Sequence, residues 1–158
     1  ITTVKRIVIS LLMLILPMMV FSQSNDVISE ILESSEITYG QVCYLSASAQ
    51  NLIDDDASYE QAIQVLFDKG QIPELVYKNE PIALANLAYI YAKLWNVKGG
   101  IFFRITNGSP RYAFKQLKAD ELIEKHLDPT TILSGEKALS LYTAGSYFYD
   151  NQEIEPIE

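Results

Sequence analysis

The sequence predicts a mainly α fold, built as two tandem helix-link-helix repeats of about 50 residues with a helix before them, and three observations carry that expectation. Apolar residues recur at helical spacing along most of the chain. Helix-start chemistry stands ahead of those stretches, either Ser or Thr with Gln three residues on or Pro at a first helical position. One helix pair also returns later in the chain. Ala62, Ile63, Leu66 and Ile72 fall on Ala113, Phe114, Leu117 and Ile123 at an offset of 51, and Ser58 falls on Ser109. The second helices follow at an offset of 50, with Ile82, Ala85, Asn86 and Ala88 set against Ile132, Gly135, Glu136 and Ala138, as if one residue had been lost between them.

In chain order, Lys5-Arg6 precede an apolar run at residues 7–21 broken only by Ser10 and Pro17, and Val20-Phe21-Ser22 meets the small-residue rule for cleavage. Residues 1–22 therefore read as a signal peptide, Gln23 as the mature N-terminus, and the location as exported, periplasmic or envelope-associated. The run falls short of the ~20 residues that span a bilayer, and the only Cys is Cys43, so no stable membrane anchor is expected after cleavage. Without Lys5 and Arg6 the chain keeps ten basic against 20 acidic residues, a net of −10. That balance argues against nucleic acid, which needs clustered Lys and Arg, and also opposes close approach to an anionic membrane surface. A single cysteine leaves the fold to its apolar core.

Residues 23–37 read as an N-terminal lead-in, with Val27, Ile28, Ile31 and Leu32 striping a short amphipathic helix, and one helical domain is expected over 38–150. Thr38 and Gln41 form a capping box for a helix ending near Ile53, with Cys43 beside its apolar face as a small buried hydrophobe. Asp54-Asp55-Asp56 lacks the Gly and Glu of a calcium-binding loop, Tyr59 and Val65 standing in those positions, and reads as a turn whose charge favours the next helix start.

The first repeat, 58–95, opens on Ser58 and Gln61, buries Ala62, Ile63, Leu66 and Phe67, and stops at Gly70. Pro73 lies in the link. Pro81 then leads a helix with Leu84, Ala88, Tyr91 and Trp95 on one side and Leu87 and Leu94 adjoining, the candidate central helix, closed by Lys98-Gly99-Gly100. At residues 101–106 the period shifts, Ile101, Phe103 and Ile105 alternating with Phe102, Arg104 and Thr106, which predicts one short extended segment: first a connector that packs Ile101, Phe103 and Ile105 inward onto the helices, and as the sharper alternative an edge on which a partner strand adds. The second repeat, 109–149, starts at Ser109-Pro110 and lacks the terminating Gly of its twin. Its link holds His126, Asp128 and Pro129, Ser134 caps its second helix, and the aromatic end is Tyr147, Phe148 and Tyr149. Residues 151–158 read as an acidic tail.

The unit resembles the S-layer homology (SLH) domain. Ile132-Leu133-Ser134-Gly135-Glu136-Lys137-Ala138 sits where that family carries Ile-Thr-Arg-Ala-Glu-x-Ala, Ile82-Ala83-Leu84-Ala85-Asn86-Leu87-Ala88 is the first repeat's version, and Leu66 with Lys69-Gly70-Gln71-Ile72 resembles the family's Leu-x-x-x-Gly-Ile. The resemblance covers residues 58–149 and implies a helical repeat that often binds cell-wall polysaccharide. The family's glycan-binding Thr-Arg is replaced by Leu133-Ser134 and Ala83-Leu84, so only the architecture carries over.

No catalytic, cofactor or metal signature stands out. One His in a link cannot complete a nucleophilic triad, and His126 with Cys43 falls short of a zinc site. Paired carboxylates of an envelope enzyme are the least favoured alternative, and the expectation is no enzyme, no cofactor and no metal. Ten tyrosines are many for this length: the first reading is that they pack the repeat's two layers with some hydroxyls at the surface, and the functional one is an exposed patch that binds protein or glycan, with Phe102, Arg104, Arg111, Tyr112, Tyr147 and Tyr149 as the candidate interaction surface. The function expected is an exported non-catalytic structural or protein-interaction module whose partner is a protein of an envelope assembly. The alternative is an SLH-type module for cell-wall glycan.

Overall fold

The computed structural model describes residues 22–152; the expected signal segment before Ser22 and the tail after Gln152 lie outside the described residues. The fold is mainly α. Its helices are α1 (Ser22–Glu33), α2 (Tyr39–Ala49), α3 (Tyr59–Asp68), α4 (Leu84–Leu94), α5 (Ile101–Ile105), α6 (Pro110–Ala119) and α7 (Gly135–Gln152). The described residues form no sheet, only two isolated antiparallel bridges, Thr38 with Pro81 and Ala83 with Ile132.

Those bridges organise the molecule. Short extended segments stand directly before α2, α4 and α7, and each pairs with the others. The N–H of Ile82 donates to the Ile37 carbonyl at 3.0 Å, and the N–H of Ile37 to the Leu133 carbonyl at 2.8 Å. The first N–H of each of the three helices is satisfied the same way, Tyr39 donating to Glu80, Leu84 to Thr131 and Gly135 to Ser34, at 2.9, 2.7 and 2.9 Å. These are donors that a helix cannot satisfy internally. Ile37, Ile82 and Leu133 are all buried where the segments meet.

The helix-link-helix unit thus occurs three times, as α1 with α2, α3 with α4, and α6 with α7. Residues 23–37, read from sequence as a lead-in, supply the first helix of a unit. Its link is only residues 34–38, so no 50-residue offset betrays it. Thr38, Ala83 and Ser134 are equivalent helix caps. Thr38 Oγ1 accepts from the Gln41 N–H at 3.4 Å and Ser134 Oγ from the Lys137 N–H at 3.3 Å. The offset between the last two units is accordingly 51 throughout, and no residue is lost. Leu133, 6% exposed, takes the place of Ile82, whereas Ile132 is 39% exposed. Two adjacent aliphatic residues look alike in a sequence; the cap decides between them.

The second helix of each unit packs on the first helix of the next, α2 on α3 and α4 on α6, and α7 packs back on α1, so the units close a ring. The closure is tight, since a Cβ at Gly135 would overlap the backbone carbonyl of Ile31. The expected capping boxes at Thr38 and Ser58 are both formed. As expected, α4 is buried over a wide arc, through Leu84, Leu87, Ala88, Ile90, Tyr91 and Ala92.

The ends of α2 to α6 share one device, a residue at positive φ followed by an N–H that reaches back to a carbonyl of the last turn. Gly70 (φ 67°) serves α3, with Gln71 donating to Leu66 at 2.8 Å. Asn96 (φ 50°) serves α4, so Lys98-Gly99-Gly100 lies beyond the true stop. Glu121 (φ 60°) serves α6, the one such position held by neither Gly nor Asn, and it is the structural twin of Gly70.

The stretch expected to be extended, residues 101–106, is instead the helical turn α5. Arg104 N–H donates to the Gly100 carbonyl at 3.0 Å and Thr106 N–H to Phe102 at 3.1 Å. Those donors are used within the turn, so the strand-addition edge does not exist. Alternation over six residues does not separate a strand from one turn of helix when the flanking glycines suit both.

Leu66 and Leu117 occupy equivalent, fully buried positions. Replacing either with Ala is expected to cost about 2 to 5 kcal/mol in denaturant unfolding; a wild-type midpoint for either variant would place that side chain outside the common core. Glu121→Gly is expected to stabilise by roughly 1 kcal/mol, because it removes a Cβ from a left-handed conformation. A lower melting temperature would contradict the twin relation with Gly70.

Candidate interaction face

The best-defined surface feature is α5 with the adjoining side of α6. Phe103 anchors it. Its ring lies between Gly99 (φ 48°) and Gly108 (φ 68°), where a Cβ would stand 2.5 and 2.8 Å from ring carbons, so only glycine permits the clamp. With Phe103 turned inward, Ile101, Phe102 and Ile105 point out, 74%, 67% and 75% exposed. Ile101 and Ile105 are one helical turn apart and share a face, the reverse of the inward pair that alternation implied.

Phe102 stacks on Tyr112 of α6, with ring centroids 6.0 Å apart and planes 12° off parallel. The Lys115 ammonium stands 5.3 Å from the Tyr112 ring centre. The Gln116 side-chain oxygen accepts from the Gly100 N–H at 3.1 Å, which ties the start of α5 to α6. On the other side lies an open groove of about 550 Å³ lined by Lys93, Asn96, Lys98, Phe103, Arg104 and Asn107 among others. There Arg104 Nε donates to the Lys98 carbonyl at 3.2 Å and Lys93 Nζ to the Asn107 carbonyl at 3.0 Å.

The structure therefore brings Phe102, Arg104 and Tyr112 into one corner, with exposed Arg111 beside Tyr112 in α6. Tyr147 is 76% exposed on α7, and no ring contact joins it to that corner. Tyr149 is corrected: it is 9% exposed, stacks on Trp95 at 5.5 Å, and its hydroxyl donates to Asp120 at 2.5 Å, so it belongs to the core. Ile101, Ile105 and Lys98 are the members that sequence reading missed. The i, i+4 spacing of the two isoleucines was the available signal, hidden once the segment was read as extended.

Charge is segregated here. Between Glu80 and Asp120 the chain has no acidic residue but carries Lys93, Lys98, Arg104, Arg111, Lys115 and Lys118. The salt bridges among the described residues are Lys78 with Glu60 and His126 with Glu124, so none of these six cations has a carboxylate partner. They rest instead on backbone oxygens or aromatic rings, or reach solvent.

Elsewhere, the described residues hold no group of three or more His, Cys, Asp or Glu placed to bind a metal, and none of their helices is long and apolar enough to cross a membrane. Cys43 is buried in α2, and burial pushes its thiol from an ordinary 9.0 up to about 12. Burial also raises the Tyr91 and Tyr149 hydroxyls, the latter helped by its bond to Asp120. These groups fold in their neutral form, so their contribution is complete below the unfolded-state values and is lost as pH rises past them. Stability is therefore expected to decline from about pH 9 upward. A thiol reagent at pH 8 should label Cys43 at the rate of unfolding, and rapid labelling of the native protein would contradict its burial.

No family model, curated protein or solved structure matches the chain.

Proposed function

We propose that this chain is a non-catalytic interaction module of the bacterial envelope, exported by way of its charged and apolar start, which docks onto a larger envelope assembly through the α5 face. The observation that carries the reading is the exposure of Ile101, Phe102 and Ile105 together on one short helix held by the Phe103 clamp. Contiguous exposed apolar side chains rimmed by polar groups mark interaction sites. The exposed trio lies outside the ring of core helices, and the described residues leave no buried side-chain polar atom unsatisfied.

The reading is tested by Phe102→Ser with Ile105→Ser. Exposed substitutions of this kind are expected to shift stability by no more than about 0.5 kcal/mol each. The variant should fold as the parent does and lose retention in material co-purified from native envelope. Undiminished retention would sink the proposal.

A second reading, an SLH-type module for cell-wall glycan, gains support from the unit that sequence repeats concealed. Ile37-Thr38-Tyr39-Gly40-Gln41 keeps the Ile-Thr of the family's Ile-Thr-Arg-Ala-Glu and has Gln for Glu. The pattern has a physical role here: Ile37 is buried among the paired segments, and Thr38 and Gln41 form the capping box. Tyr39 stands in the Arg position, its hydroxyl accepting from Asn86 at 2.9 Å. Retention of the purified protein on peptidoglycan at moderate salt would favour this second reading over the first.

A further inference from the structure

We propose that the α5 face seats on an anionic lipid surface, which rests on the reading of that face as the docking site and names its partner. The average charge of the chain opposes such contact, but the charge is not spread evenly. The six cations of residues 81–119 offset a remainder that carries all 20 acidic residues against six basic ones, a net of −14 for that remainder and −8 for the whole. On the face itself the cations have no carboxylate partners to neutralise them. Lys98 and Arg104, joined by a hydrogen bond, lie on one side of the exposed apolar trio, and Lys115 lies on the other, over the Tyr112 ring that stacks on Phe102, with exposed Arg111 next to Tyr112 in sequence.

This combination fits a bilayer interface in both its parts. Isolated aliphatic and aromatic side chains that stand out from a surface can enter the boundary between headgroups and acyl chains. Cations around them meet lipid phosphates, each strengthening the partition about fivefold at an anionic surface. Tyr112 suits the same level, since its ring is apolar and its hydroxyl is polar. The acidic remainder matters less than its size implies, because repulsion from charges more than about 10 Å from the surface is screened at 0.1 M salt. Where it comes within that distance it repels the lipid, which favours orientations that present the α5 face. Binding of this kind is reversible, since three apolar side chains and a few cations fall far short of a spanning helix.

The test is co-sedimentation of the purified protein, without its first 22 residues, with vesicles of phosphatidylcholine alone and of phosphatidylcholine mixed with phosphatidylglycerol. Binding to the mixed vesicles should exceed that to the neutral ones by at least about tenfold and weaken as salt rises. Ile101→Ser with Ile105→Ser should lower it by at least about tenfold. Lys98→Gln, Arg111→Gln and Lys115→Gln should each lower it about fivefold and flatten the salt dependence. Circular dichroism melts establish that these surface variants remain folded. Failure of the parent to bind mixed vesicles, with envelope retention still lost in the Phe102→Ser and Ile105→Ser variant, would overturn the lipid inference and leave the docking face standing. Retention that depends on neither change would overturn both. A concentration-dependent dimer abolished by Ile101→Ser would give the face to a second copy of the chain, and retention on peptidoglycan without vesicle binding would give it to glycan; either result overturns the lipid inference.

Discussion

The exchange of backbone hydrogen bonds among the segments around Ile37, Ile82 and Leu133 is the constraint on which the other features depend. A helix that starts inside a protein exposes N–H groups that nothing within it can satisfy. Here three helices start side by side, and each directs its first donor to a carbonyl just ahead of a neighbouring helix. The direction of α2, α4 and α7 follows from that exchange, and so does the packing of each second helix on the next unit. A recurring short pattern also gains a reason. An aliphatic residue is needed where the segments meet, a hydroxyl beside it to cap, and Gln or Glu three residues on to return the bond. Where Ala83 replaces the hydroxyl, α4 has no side-chain cap, and burial on nearly every side takes its place.

Much of this was legible in the sequence, and the failures have physical causes. Helices with strong periodicity and caps were readable, because a capping box and a buried stripe are local properties; Thr38 with Gln41 and Ser58 with Gln61 are examples. The first unit was not readable as a repeat, since a link of five residues replaces one of fifteen and destroys the offset while preserving the contacts. Repetition in space survived a deletion that repetition in sequence did not. The end of α4 was misplaced for a related reason: Asn96 adopts the left-handed conformation that glycine more often supplies, and the two glycines downstream serve the Phe103 clamp instead.

The candidate interaction face shows the same division. Phe102 and Tyr112 were identifiable as aromatic residues at the edges of predicted elements, but their stacking required α5 to be a helix. Tyr149 was placed with its neighbours by proximity in sequence, yet residues 147 and 149 lie about 200° apart around a helix, and one faces Asp120 while the other faces water. Net charge is likewise a whole-chain quantity. A single total for the chain cannot show that one stretch of 39 residues carries no acid at all, and an electrostatic argument about surfaces needs that local value.

Closure of the ring by α1 and α7 has a consequence for the order of folding. The partner of the first helix is made last, so a chain emerging from its N-terminus leaves Ile31 without a seat until residue 135 and its followers arrive. Pairing elements that far apart requires a large loop to close, which slows the final step relative to the local α2 with α3 and α4 with α6 contacts. A partially synthesised chain would hold two packed helix pairs and an open seam. Joining residue 152 back to residue 22 by a short linker, and cutting the chain in the link at residues 124–128, would turn the slowest contact into a local one while leaving the paired segments as they are. The ring has no intrinsic first unit; the position of the chain break alone decides which contact forms last.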